Sequence, residues 1–253
     1  MTMGGMCAGG EVEMAAIVRN RFYFLIALTL ALLVALGFMR TFYARALFDM
    51  PPLPTLMEVH GAVFTAWFLL FIVQTRLIAA HKIQAHKTLG IVGVLLAMVV
   101  VVVGVMTSFE SSLATRPRGM GFTSPQFVIF PLGGIAVFAV FVATAVALRK
   151  RAALHKRFMT LAMITVLGPP TARLLNLAGL QDHFLAIQMT VPALFITWCL
   201  INDWRKNHIV HPVFAIGGPF IVISWPLRAM FAQTEAWAVV SGWIVRVASG
   251  GQT

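Results

Sequence analysis

The sequence predicts an all-α polytopic membrane protein, a bundle of about seven transmembrane helices. Three observations carry this. Hydrophobic residues make up 60% of the 253 and charged residues only 11%, against about 25% charged in a soluble domain. The apolar residues come in runs near the roughly 20 residues needed to cross a hydrocarbon core at 1.5 Å per residue. These runs lack the ten-residue alternation that a membrane barrel requires.

The first span, 21–39, contains FYFLIALTLALLVALGFM behind Arg19 and Arg21. Its 18 uncharged residues exceed the length of a signal-peptide core, and Ala44-Arg45-Ala46 carries an arginine between its alanines, so it reads as uncleaved. Charges then bracket spans at 57–78, 87–108 and 126–148. The fifth, 156–176, has only 15 uncharged residues between Arg157 and Arg173, and its LGPP (167–170) should kink it. Such a span is tolerated when other helices surround it. The sixth is 183–203. The seventh, 212–232, holds Gly217, Gly218, Pro219 and Pro226 and is expected to be kinked or broken. EAWAVVSGWIVRVAS (235–249) has the character of a helix lying at the outer interface. The expected organisation is a cytoplasmic tail (1–20), a transmembrane bundle (21–232), and an outer interfacial helix and tail (233–253).

Lys and Arg set the orientation. With the N-terminus inside, Arg19, Arg21, Arg76, Lys82, Lys87, Arg149, Lys150, Arg151, Lys156, Arg157, Arg205 and Lys206 face the cytoplasm, 12 of the 19 positive residues. This predicts N-in, C-out. The net charge of +11 therefore reads as a topology signal, and no nucleic-acid partner is expected.

Several chemistries lack their residues. Cys7 and Cys199 form neither a CxxC nor a disulfide framework. HExxH and ExxH are absent, which disfavours a zinc peptidase or a carboxylate-bridged metal pair, and CxxCH is absent, which excludes covalent c-type haem. The one MxxM step, Met3 with Met6, lies in the tail, so the 14 methionines read as core filling. Gly133-Gly134 and Gly217-Gly218 lie in apolar spans and suit close helix packing.

The seven histidines are more informative. His60 lies one turn inside the outer end of the second span, and His183 opens the sixth on that side. His86 and His155 open the third and fifth spans on the inner side. Two levels ~20 Å apart, from the helical rise, is the arrangement two b-type haems require, each held by histidines of two helices. Each of the four has a plainer reading as an interfacial or internally satisfied histidine. His81, His208 and His211 read as loop residues. His81 and His86 lie about 140° apart at roughly 100° per residue, so they do not chelate one ion from a single face. Arg76 lies near the level of His86 and Arg173 near that of His60, where each could hold a haem propionate or snorkel. Glu58 is positioned to orient His60 or to sit in the interface, and Gln74 lies within a span and must find a partner.

MEVHGAVFTAWFLLFIVQTRLIAAHKIQAHKTLGIVG (57–93) and LRKRAALHKRFMTLAMITVLGPPTARLL (148–175) resemble a large set of uncharacterised bacterial inner-membrane proteins. Their pattern is a histidine opening one span, a glutamine near its end, HRxxG opening the next, and later HRRxM followed by an arginine. The matching positions are His60, Gln74, His86 with Gly90, and His155 with Met159 and Arg173; Lys87 and Lys156 stand where the pattern has arginine. DWRKNHIVHPVFAIGG (203–218) is similar to a narrower subgroup. The set is distantly similar to two-haem cytochrome b561 and ferric-reductase-like bundles. That resemblance implies one or two haem b groups and electron transfer, with His86 and His155 on an inner haem and His60 with His183 on an outer one. His183 falls outside the matched motifs.

The leading expectation is a b-type-cytochrome-like redox protein of the bacterial inner membrane, passing electrons from quinol or another redox partner. No catalytic residue is assigned. The alternatives are a cofactor-free accessory or structural subunit of a larger membrane complex, and a transporter or sensor of a small molecule or metal.

Overall fold

A computed structural model describes residues 5–113 and 121–250, with side chains from Arg21 on apart from that of Asn207. The described residues are helical throughout, with no strand among them. In chain order the helices are α1 (Gly5–Phe38), α2 (Thr55–Ala79), α3 (Ile83–Ser112), the short α4 (Ser124–Phe127), α5 (Ile129–Ala147), α6 (Ala152–Thr165), α7 (Gly168–Ala178), α8 (Phe184–Asn207), α9 (Pro212–Phe231) and α10 (Glu235–Ala248). A π-helical turn, Met39–Tyr43, extends α1. Seven stretches are long and apolar enough to cross a membrane, and each overlaps one of the seven expected spans. The chain is an all-α multi-pass membrane bundle. Within the expected tail, 5–20 continues α1; the Met3, Met6 and Cys7 side chains lie outside the described residues.

Neighbours in sequence pack as hairpins, α2 on α3, α5 on α6 and α8 on α9, while α1 closes the bundle against α2 and α7. Ile26 and Leu30 of α1, Phe138 of α5, Leu161 and Met163 of α6, and Phe214 and Ile221 of α9 are buried at its centre. A second apolar cluster, with Phe130, Phe184, Trp225 and Trp237, fills the other end.

The fifth span is the middle of the protein. Its apolar window is 61% buried, against 17–44% for the other six, which explains how so polar a segment crosses. It also breaks where LGPP predicts: α6 stops at Thr165 and α7 begins at Gly168, with a proline in its first turn. Proline brings no N–H to the preceding turn. Gln188 of α8 reaches over and donates to the Gly168 carbonyl at 2.9 Å. At Gly37 a Cβ would lie 2.6 Å from the Pro170 carbonyl, so only glycine lets α1 approach α7 here.

The seventh span is not broken. Despite Pro219 and Pro226, α9 runs unbroken from Pro212 to Phe231. Pro219 is exposed, while Gly218 beside it packs so closely that a Cβ would meet Ile196 of α8 at 2.4 Å. Neighbouring helices can hold such a segment straight through its missing hydrogen bonds. After it, α10 covers α3 and α4 with Trp237, Ser241 and Ile244, which share one face at i, i+4 and i+7. Thr234 caps its N-terminus, and the Trp237 indole donates to the Gln126 carbonyl at 3.1 Å.

Candidate functional site

Tight turns bring three polar side chains to one end of the bundle. Between α2 and α3, His81 takes a left-handed conformation (φ 58°), so the chain reverses within a few residues and Gln74, in the last turns of α2, meets His86 in the first turn of α3. Between α5 and α6 a similarly short turn brings His155 back over the end of α5. There the last carbonyls of the helix have no continuing turn to bond. His155 Nδ1 donates to one of them, Ala145 O, at 2.8 Å.

That bond fixes the tautomer, because a carbonyl only accepts. The neutral ring then carries its proton on Nδ1 and has its acceptor at Nε2. His86 faces it, with ring centroids 6.2 Å apart and planes at 79°; both side chains are half-buried. Gln74 orients the second ring. With its amide turned so that donors meet acceptors, its nitrogen donates to His86 Nδ1 at 2.6 Å and to the His86 carbonyl at 3.3 Å, while its oxygen accepts from Gly90 N at 3.1 Å. In this arrangement His86 Nε2 bears the proton. Turning the Gln74 amide over makes its oxygen accept from Nδ1–H and frees Nε2. Gln74 thus sets whether the pair offers a donor facing an acceptor or two lone pairs.

With ring centroids 6.2 Å apart, the two imidazoles lie within reach of one shared metal centre. No group of three or more His, Cys, Asp or Glu is assembled to hold a metal ion among the described residues. A pair of imidazoles is the complement that haem needs, since the porphyrin provides the remaining four nitrogens. Arg76, two residues beyond Gln74, is exposed at the same end and lies over the Phe24 ring.

The outer histidines are differently placed. His60 Nδ1 is 3.1 Å from Thr107 Oγ1 of α3, and its ring stacks on Phe64 at 4.3 Å. The Thr107 hydroxyl proton goes to the carbonyls of Val103 and Gly104, so its oxygen accepts from His60 Nδ1–H. His60 is internally satisfied there, and Glu58 is exposed. His183 is exposed in a 3-10 turn before α8, and its ring makes no hydrogen bond or ring contact among the described residues. The structure brings His86 to His155; His60 it brings to Thr107. Arg173 donates from Nε to Thr41 Oγ1 at 3.3 Å and lies 4.2 Å over Phe38, tying α7 to the turn after α1.

One charged pair beside this site escapes the sequence reading. Arg157 of α6, two residues after His155, grips Asp203 of α8 through Nε (2.9 Å) and NH2 (2.7 Å), with side chains 5% and 3% exposed. The signal was available: with 8 Asp and Glu against 19 Lys and Arg, an acid at the end of a span has many cations to meet. His211, at the N-cap of α9, accepts from Val213 N at 3.2 Å. Burial, then the nearby positive charge of Arg157, holds its imidazolium below the ordinary range.

No family model, curated protein or solved structure matches this chain. The chemistry of the site therefore rests on its own geometry.

Proposed function

We propose that this chain is a b-type-cytochrome-like redox protein of the bacterial inner membrane, which holds one haem b between His86 and His155 and passes electrons between a membrane donor such as a quinol and a second redox partner. The observation that carries the reading is the His86–His155 pair, its ring centroids 6.2 Å apart, with His155 Nδ1 held by Ala145 O. The haem would supply one-electron chemistry. His155, held by Ala145 O, would keep its ring orientation when the haem changes redox state. Gln74, with its oxygen toward Nδ1, would do the same for His86, as second partners of metal-bound histidines generally do. Arg76 and the lysines Lys82 and Lys87 would provide positive charge for the propionates. The excess of Lys and Arg argues that this end faces the cytoplasm. A second haem on His60 and His183 has no comparable support, since His183 is exposed in the turn before α8 and no ring contact joins it to His60 among the described residues.

The test is an absorbance spectrum of purified protein, oxidised and reduced. A Soret band and an α-band are expected, lost in His86→Ala and His155→Ala and kept in His60→Ala. A colourless preparation from haem-replete cells overturns the proposal.

The three hydrogen bonds of Gln74 favour a second reading, in which His86 and His155 hold no metal and the chain is a cofactor-free subunit of a larger membrane complex. A colourless protein that co-purifies with a stable partner supports it.

A further inference from the structure

A second polar site lies at the far end of the bundle. Arg228 is 16 residues beyond the start of α9, about 24 Å along its axis from the turn beside Arg157 and Asp203. Its side chain is folded inward. Nε donates to Ser224 O at 3.0 Å, NH1 to Phe130 O at 2.9 Å, and NH2 to Ser224 Oγ, and the guanidinium lies 5.0 Å over the Trp225 ring. No carboxylate pairs with Arg228 among the described residues. A guanidinium carries five N–H donors, and three are used, so one on each terminal nitrogen remains. A cation within a membrane span is costly and calls for a counter-charge.

Beside Arg228, α5 and α9 leave a shallow open groove lined by Ile129, Gly133, Ala136, Val137, Leu227 and Phe231. Gly133 makes room for the arginine stem: a Cβ there would lie 2.6 Å from Arg228 Cδ. The walls are apolar, and Leu227 and Phe231 are 57% and 44% exposed on the side that faces lipid. The ligand must therefore be anionic where it meets the guanidinium and apolar beyond it.

We propose that Arg228 and the α5–α9 groove bind an anionic phospholipid, the guanidinium taking the phosphodiester oxygens and the groove taking the first part of an acyl chain. Arginine's planar fork matches phosphate, and basic pockets between transmembrane helices are suited to lipid headgroups. Neither the ion pair on α6 and α8 nor the paired histidines take part, so the site is independent of the redox reading.

The experiment is native mass spectrometry and thermal unfolding of the full chain in detergent, with phosphatidylglycerol or phosphatidylcholine of matched chains added. Preferential phosphatidylglycerol binding and a saturable rise in Tm are expected. Arg228→Gln should weaken binding roughly tenfold or more, the scale of a lost charged hydrogen bond. Ala136→Phe should fill the exposed groove and weaken binding while leaving Arg228 in place. Equal phosphatidylglycerol binding by wild type and Arg228→Gln overturns the proposal, as does a variant destabilised to the same extent with either lipid. Inorganic phosphate or glycerol phosphate raising Tm as far as the lipid also overturns it, because the groove would then have no part.

Discussion

Removing Asp203 should be among the most damaging single changes in the protein. Asp203→Asn keeps the side chain's volume but leaves the Arg157 guanidinium charged, 5% exposed and without its anion. It also turns one amide N–H₂ toward a group that only donates. Of the two charge-assisted hydrogen bonds of 2.9 and 2.7 Å, one is lost and the other is left to a neutral amide oxygen, and removing the anion of a buried pair costs about 3–5 kcal/mol. The other tie of Arg157, to Ala153 O at 2.8 Å, lies within its own helix, so the polar link from α6 to α8 is weakened as well. The double replacement Arg157→Met with Asp203→Leu removes both charges and should recover most of the loss, because a buried pair exchanged for apolar residues is often neutral. The assay is unfolding in mixed detergent micelles, followed by fluorescence of the six tryptophans. Asp203→Asn within about 0.5 kcal/mol of wild type, the range of an ordinary surface change, would refute the argument. So would a double variant as unstable as the single one.

Other perturbations have equally definite outcomes. Thr107→Val leaves His60 Nδ1–H without its acceptor and should cost about 1–3 kcal/mol in the same assay, without altering any haem spectrum. His211 is held below its ordinary value near 6.5, so the unfolded chain binds more protons. Its contribution to stability should be present above pH ~6.5 and lost as pH falls through the lower folded value. His211→Asn keeps a capping acceptor and should flatten that part of the wild-type pH profile; two superimposable profiles would contradict it. Gly37→Ala places a methyl against the Pro170 backbone and should cost roughly 1–3 kcal/mol as overpacking, visible as a lower unfolding midpoint.

Depth along a helix is legible in sequence, and lateral neighbours are much less so. Charges at the ends of apolar runs locate the seven spans, and the missing N–H groups of Pro169 and Pro170 locate the break between α6 and α7. The same reasoning expects a kink or a break at Pro219 and Pro226, and α9 is unbroken there, with Gly218 packed closely on Ile196. Assigning His60 and His183 to one level gave no azimuth. His60 turns toward α3, where Thr107 waits, and His183 stays in the turn outside the bundle. His86 and His155 come together because each opens a helix after a short turn, and short turns carry the partner helix with them. Arg157 was counted with the charges that set orientation, and its conversion into a buried partner of Asp203 depends on how α6 and α8 approach each other.

The central position of the broken span has a consequence for how the protein is made. The α6–α7 segment has a mean hydropathy of 1.3, the lowest of the seven, and carries Arg157 and Arg173 within it. Lipid alone gives it little reason to leave an aqueous channel. Its stability in the bilayer derives from α1, α5, α8 and α9 around it, two of which are synthesised after it. Biogenesis must therefore shelter this segment until α8 and α9 arrive, so the last third of the chain decides whether its middle stays in the membrane.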